Sequence, residues 1–155
     1  MEELQLVVFK LGKEEYGVDI AKVQEIVRLQ EITHIPQAPP FVEGIVNLRG
    51  QIIPIIDLKK RFNLECKEAV EGEKRVIVVN IGGQIIGIVV DNVSEIIRIP
   101  KDKVEPPPPI VAGIESEYID GVGKLDKRLI ILLDIEKILT EKEKEEIKEI
   151  SASQE

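Results

Sequence analysis

The stretch Gly44–Leu58, which reads G-I-V-N-L-R-G-Q-I-I-P-I-I-D-L, decides the fold of this chain. Two runs of Val and Ile flank a short polar break, a pattern typical of buried strands joined by a tight turn. Gly50 can supply the positive φ that such a turn needs. Pro54 has no N–H to donate, so we expect its strand to lie at a sheet edge or to carry a bulge there. Arg49 in the turn is either a solvated turn residue or a charge presented to a partner.

Composition limits the classes of protein to which the chain can belong. Its 155 residues, 43% hydrophobic and 32% charged, suffice for one globular domain or two small barrels. The net charge of -8 disfavours attraction to nucleic acid or to an anionic membrane. The single cysteine, Cys66, cannot form an internal disulfide, which favours the cytoplasm. No signal peptide and no apolar run near the ~20 residues of a membrane helix is visible. We therefore expect no direct membrane insertion.

The second half of the chain repeats the first. A gapless shift of 70 residues aligns 11–29 with 81–99 and gives six identities in 19 pairs, and a shift of 77 aligns Gly44 with Gly121. We expect one domain over residues 1–155, with pseudo-repeats at about 4–62 and 74–139. A polar linker is predicted at 63–74, and a C-terminal helix and tail at 140–155.

Each repeat is predicted to contain a hairpin, a short helix, a loop, a second hairpin and a helical turn. The spacing of Ile20, Val23, Ile26 and Val27 predicts that first short helix. About five short strands a repeat predict a mainly β fold of two five-stranded barrels, related by pseudo-twofold symmetry, with an apolar groove between them. Whether strands cross between the barrels stays open.

The residues offer little for catalysis. One histidine and one cysteine cannot form a zinc site of the usual kind, and no phosphate-binding glycine motif occurs. Four acids each follow an apolar strand: Asp19, Asp57, Asp91 and Asp134. Helix capping explains them, and a split carboxylate pair for acid–base chemistry is the remote alternative. We expect no enzyme activity, no metal and no cofactor.

The turns of the two repeats diverge. Asn47–Gly50 in the first repeat becomes Lys124–Lys127 in the second. The charged hairpin tip at 13–15 becomes Gly83, Gln84 and Ile85, without the charges that keep an edge from associating. Matched scaffolds with different tips indicate an adaptor with two partners.

Several motifs resemble the bacterial chemotaxis coupling protein family, CheW. They are Glu15–Ile20, Lys22–Ile26, Pro40–Leu58, Gly87–Asp91 with Val93 and Ser94, and Leu129–Ile135. The N-L-R-G block at 47–50 is specific to this family, and the likeness covers nearly the whole chain. It implies two SH3-like barrels and a non-enzymatic adaptor that joins the cytoplasmic tips of methyl-accepting chemotaxis receptors to the histidine kinase CheA, through the kinase's C-terminal regulatory domain. It also implies a cytoplasmic protein recruited to membrane-bound receptor arrays.

The resemblance assigns roles to individual residues. The positions linked to receptor coupling are Val23, Glu25, Gly44, Arg49, Ile52 and Val93. It assigns no kinase-binding residues, and the tip Gly83, Gln84 and Ile85 is our candidate. It assigns no role to the four prolines at 106–109.

Three other functions stay open at this point. The chain can be a CheW-like module of another two-component pathway. Barrel size alone also allows a double barrel that binds single-stranded nucleic acid, although the charge has the wrong sign. An enzyme that uses the repeated Asp residues is the third.

Overall fold

The computed structural model describes residues 3–12, 14–36, 38–62, 74–108, 110–111 and 114–153. The predicted linker, including Cys66, lies outside them except for Lys74. The strands are β1 (Glu3–Leu11), β2 (Glu14–Asp19), β3 (Val23–Arg28), β4 (Val42–Leu48), β5 (Gln51–Asp57), β6 (Arg75–Ile81), β7 (Gln84–Val90), β8 (Asn92–Pro100), β9 (Val104–Glu105), β10 (Ile110–Val111), β11 (Ile114–Glu115), β12 (Ile119–Leu125) and β13 (Arg128–Leu133). The α-helices are α1 (Leu58–Arg61) and α2 (Glu141–Ser153), and single 3₁₀ turns cover Ile20–Lys22, Lys101–Lys103, Ser116–Tyr118 and Ile135–Lys137.

The two repeats exchange their first hairpins. The six-stranded sheet has the order β8-β1-β2-β13-β12-β9, so hairpin β1–β2 of the first repeat is inserted among strands of the second. The five-stranded sheet has the order β3-β6-β7-β5-β4, which inserts hairpin β6–β7 of the second repeat into the first. Parallel ladders join the repeats at β2–β13 and β5–β7. The question of strand exchange, open at the level of sequence, is therefore answered.

The prediction of a mainly β fold is confirmed, although the barrels are not closed in the described residues. The described residues form one six-stranded and one five-stranded open sheet, with a separate β10–β11 pair. Edge strands β8 and β9 are consecutive in the chain, joined by the turn Lys101–Lys103. In the other sheet a single bridge, Thr33 to Ile45, links the segment after β3 to β4. The sheets curl, yet no ladder closes either one in the described residues.

Three clusters of buried side chains hold the sheets together. Each sheet covers a small cluster of its own: Val46, Ile53, Ile55, Val76, Val78 and Val89 in the five-stranded sheet, and Leu6, Val8, Ile99, Ile130 and Leu132 in the six-stranded sheet. A larger central cluster takes side chains from both sheets, such as Phe9 and Ile77. The central strands are therefore buried on both faces, which explains why they read as continuous apolar runs.

The helix predicted from Ile20, Val23, Ile26 and Val27 is wrong. A single 3₁₀ turn, capped by Asp19, ends at Lys22, and β3 follows. The register of β3 against β6 skips one residue between Val23 and Glu25. This bulge places Val23 and Ile26 on the same face, although they are three residues apart. An interrupted strand thus imitates the spacing of a helix.

Pro54 also departs from the prediction. Its strand, β5, lies between β7 and β4 rather than at an edge. The irregular register of β4–β5 falls between Val42 and Gly44, not opposite Pro54. The parallel ladder with β7 begins at Ile55, one residue later. Pro54 therefore does not need to donate an N–H to this ladder.

Capping explains three of the four repeated acids. Asp19, Asp57 and Asp134 each accept a hydrogen bond from the backbone N–H two residues ahead. Asp91 does not cap a helix, and the prediction is wrong for it. It is buried, accepts from the Gly12 N–H at 2.7 Å and pairs with Lys59 Nζ at 2.8 Å. Asp91 thus ties the tip of hairpin β1–β2 to α1.

Removing the Asp91 carboxylate should destabilise the fold more than removing a cap. Asp91→Ala leaves a mostly buried ammonium and the Gly12 N–H without their acceptor, so we expect a loss of about 3 kcal/mol. Asp134→Asn keeps a capping oxygen at a partly buried turn and should cost about 1 kcal/mol or less. Urea unfolding of both variants measures the difference, and equal losses would contradict the assigned role of Asp91.

Candidate functional site

The break in the central stretch is a tight two-residue turn. Arg49 has φ 53° and Gly50 has φ 86°, so both central residues are left-handed, as in hairpin turns of type I′. Asn47 Oδ1 accepts from the Gly50 N–H at 2.8 Å and fixes the turn. A left-handed conformation is unfavourable for an arginine. The turn therefore holds the Arg49 side chain at the tip of hairpin β4–β5, as its sequence position predicts.

Two of the candidate receptor-binding residues touch each other. Arg49 Nη2 donates to Glu25 Oε2 at 2.5 Å, and the hydrogen bond and charge of Glu25 raise the pKa of Arg49. Glu25 belongs to β3 and Arg49 to the turn after β4, which are the two edge strands of the five-stranded sheet. The side chain of Arg49 is 67% exposed and that of Glu25 is 32% exposed. The pair thus bridges both edges of the curled sheet and leaves the guanidinium open to solvent.

Gly44 lies on the same hairpin, but it has no side chain to offer a partner. Its φ is +148°, and a Cβ atom there would come within 2.1 Å of the Thr33 carbonyl oxygen. The adjacent residue Ile45 exchanges two backbone hydrogen bonds with Thr33, at 2.8 and 2.9 Å. Gly44 therefore allows the segment around Thr33 to lie close against β4. A substitution of Gly44 would affect binding by changing the backbone conformation, not by removing a side-chain contact.

The candidate valines occupy equivalent places in the two sheets. Val23 begins β3, Val93 lies at the start of β8, and both are half-buried against the central cluster. A bulge follows each valine, so that Ile26 and Ile96 share its face. Ile96 is 56% exposed, an apolar side chain on an edge strand that our sequence reasoning missed. The sequence signal that could have identified Ile96 is its alignment with Ile26 under the shift of 70.

The last candidate, Ile52, is half-buried on β5 and pairs with Asn47. The structure therefore joins Glu25 with Arg49 directly. Gly44 and Ile52 share the hairpin that carries Arg49. Val93 lies on the other sheet.

The second repeat uses its arginine differently. Asp126, at the repeat position of Arg49, also has a positive φ, 49°. The cation here is Arg128, which binds Glu15 and Glu95 at 2.6 Å each. The hydrogen bonds that Arg128 donates to these two carboxylates raise its pKa. Glu95 is the repeat counterpart of Glu25. In each repeat this glutamate forms an ion pair with an arginine of the second hairpin. The arginine lies in the turn itself only in the first repeat, where it is Arg49.

The candidate kinase-binding tip is anchored on one side. The Gly82 N–H donates to Glu136 Oε2 at 3.1 Å, and Asn80 Oδ1 accepts from the Gly83 N–H at 2.9 Å. Gly83 is exposed, whereas Gln84 and Ile85 are half-buried. Ile85 packs against the inner cluster of the five-stranded sheet, which leaves only part of this tip available to a partner.

A cavity of about 330 Å³ opens at one end of the six-stranded sheet. Its aliphatic wall carries Asp19, Asp120 and Lys101. Burial raises the pKa of the Asp120 carboxyl, and the charge of Asp134 raises it further. Within the described ranges, no group of three His, Cys, Asp or Glu side chains is arranged to hold a metal ion. No helix in the described part is long and apolar enough to cross a membrane.

Substitution of Gly44 should act through folding. Gly44→Ala drives a Cβ atom into a backbone carbonyl, so we expect a loss of more than about 4 kcal/mol, a size that only severe packing or backbone conflicts produce. Gly83→Ala is the matched control. Its Cβ atom meets nothing within 4 Å, and only the positive φ costs about 1–2 kcal/mol. Unfolding midpoints measure both, and a Gly44→Ala protein as stable as the control would refute the backbone role.

Comparison with known proteins indicates the family of this chain. The model of the CheW-like domain family matches residues 5–143. The chain is 42% identical to the chemotaxis protein CheW of Treponema pallidum, over 92% of this chain and 85% of that protein. It is also 42% identical to CheW of Klebsiella aerogenes, over 90% and 83% of the two chains.

A crystal structure supports the same assignment. The scaffolding protein TtCheW from Thermoanaerobacter tengcongensis superposes with a TM-score of 0.83, at 42% identity, and the match covers 90% of each chain. Sequence and fold thus agree over most of the molecule, and the chain belongs to the CheW-like domain family.

Proposed function

We propose that this chain is a non-enzymatic scaffold that couples chemoreceptors to the histidine kinase CheA in chemotaxis. The observation that carries the proposal is the match to CheW proteins along residues 5–143, in both sequence and fold. The reciprocal exchange of hairpins supports it physically, because a scaffold must hold two partners in a fixed relation. The proposed site of action is the cytoplasm, at membrane-bound receptor arrays.

The proposed receptor surface contains the ion pair of Arg49 and Glu25. It also includes Val23 on β3 and Ile52 on β5 of the same sheet, and Val93 on the other sheet. Receptor tips are helical hairpins, and helices bind to protein surfaces through spaced apolar anchors. Ile26 and Ile96 extend the set of apolar side chains. Gly44 acts by shaping the hairpin. For the kinase we propose the tip Gly83, Gln84 and Ile85, which is exposed at Gly83.

Assembly with both partners tests the proposal. Purified chain mixed with CheA and a soluble receptor signalling fragment should form a ternary complex, because a scaffold binds both at once. Analytical size-exclusion chromatography with light scattering measures its mass. The control omits the chain. A chain that binds neither the kinase nor the fragment would disprove the function.

Arg49 should affect receptor binding more than folding. Its guanidinium is mostly exposed and uses Nη2 for Glu25, so a partner carboxylate can engage other donors of the same group. We expect Arg49→Ala to lower receptor-fragment affinity roughly tenfold or more, as for arginine anchors at interfaces. Arg49→Lys should also bind weakly, because an ammonium does not reproduce the guanidinium fork. Kinase affinity and the unfolding midpoint should stay unchanged.

Lys124→Ala is the control for this experiment. Lys124 forms an ion pair of the same exposed kind, with Glu105 at 3.0 Å, on the hairpin β12–β13 of the second repeat. Its loss should leave receptor affinity within about twofold of the parent protein. Equal effects of Arg49→Ala and Lys124→Ala would attribute the change to net charge and contradict a specific role for Arg49.

A further inference from the structure

A polar crevice lies where the chain passes from one sheet to the other. Strand β7 of the five-stranded sheet ends at Val90, and β8 of the six-stranded sheet begins at Asn92. The crossover crevice, as we name it, has a volume of about 270 Å³, and among the described residues it is lined by Arg75, Asn92, Val93 and Ser94. Val93 belongs to the proposed receptor surface, so the crevice continues that surface inward.

Asn92 brings an unmet hydrogen-bond acceptor to this crevice. Its side-chain Oδ1 is buried and has no hydrogen-bond partner in the structure. A buried acceptor without a donor costs free energy, because it loses water and gains nothing. Rotation about χ2 is soft for asparagine. The carbonyl can therefore turn to meet an N–H group that enters the crevice.

Arg75 brings a guanidinium to the same crevice. Its Nη1 donates to the Lys74 carbonyl oxygen at 2.9 Å. A guanidinium carries five N–H donors, so it can serve a ligand in addition to its contacts within the chain. Arg28 lies directly across from Arg75 in the β3–β6 ladder and adds positive charge at this end of the sheet. The lining of the crevice thus includes both guanidinium donors and an amide acceptor.

The chemistry of these walls selects among the side chains of a partner. A carboxylate satisfies Arg75 but brings no N–H for Asn92. An ammonium satisfies Asn92 but has no acceptor for the N–H groups of Arg75. A carboxamide has a carbonyl for the guanidinium and an N–H for Oδ1. We propose that the crossover crevice binds the side-chain carboxamide of an Asn or Gln on the receptor, with the apolar Val93 beside it. This inference rests on the proposed receptor-binding function.

The first test measures affinity for a receptor signalling fragment. Asn92→Ala and Arg75→Ala should each weaken binding roughly fivefold to tenfold, the value of one hydrogen bond. Asn92→Ala should not lower the unfolding midpoint, because it removes an unsatisfied acceptor. Arg98→Ala, which removes an exposed positive charge from β8, is the control and should bind within about twofold of the parent. Kinase affinity is measured alongside and should not change.

The second test identifies the partner group. Each exposed Asn and Gln at the fragment tip is replaced by Ala, and each variant is titrated with the parent chain and with Asn92→Ala. One position should weaken binding to the parent but not to Asn92→Ala, and its replacement by Glu or Asp should weaken binding as well. If the parent chain binds the fragment and no carboxamide position couples to Asn92, the inference is wrong while the proposed function stands. If the parent chain binds no fragment, the proposed function fails and the inference fails with it.

Discussion

The parallel ladders between β2 and β13 and between β5 and β7 are the interactions on which the rest of the structure depends. Each ladder joins strands of different repeats. Without them, β2, β13, β5 and β7 would each have an unpaired edge, and unpaired edges associate with other chains. The two repeats must therefore fold as one cooperative unit. Surfaces on opposite sheets keep a fixed relation, which a protein that holds two partners together requires.

The exchange creates a pseudo-twofold centre that the two repeats cannot fill identically. Arg61 lies between the rings of Phe41 and Tyr118, 5.3 Å from each centroid, and its Nε donates to the Ile138 carbonyl. Under the shift of 77, Phe41 matches Tyr118 and Arg61 matches Ile138. Two guanidinium groups at this centre would repel each other, so one repeat supplies the cation and the other an aliphatic residue. Charge repulsion at this shared centre therefore requires the two repeats to differ in sequence.

The sequence predicts which faces are buried better than it predicts which strands pair. Runs of Val and Ile correctly indicate strands, and Asp57 correctly indicates a helical start. Alternation along one strand carries no information about its neighbour, so neither the exchange nor the open sheets could be inferred. The bulge after Val23 changes the spacing of residues on one face of the strand from two to three. The pattern of β3 therefore resembles that of a helix. The ion pair of Glu25 with Arg49 follows from curling, which brings sheet edges together and leaves no local signal.

Curling brings the sheet edges together in both repeats, but the two repeats present different surfaces. Both connect a glutamate of an edge strand, Glu25 or Glu95, to an arginine of the second hairpin. In the first repeat this arginine is Arg49, mostly exposed at the tip. In the second it is Arg128, held by two carboxylates, while the tip carries Asp126. The link between sheet edges is common to both repeats, but only the first tip carries an exposed arginine, whereas Asp126 and Lys127 share the turn of the second. A pseudo-symmetric scaffold can in this way bind an acidic group at only one of two equivalent hairpins, so that its partner has a defined orientation.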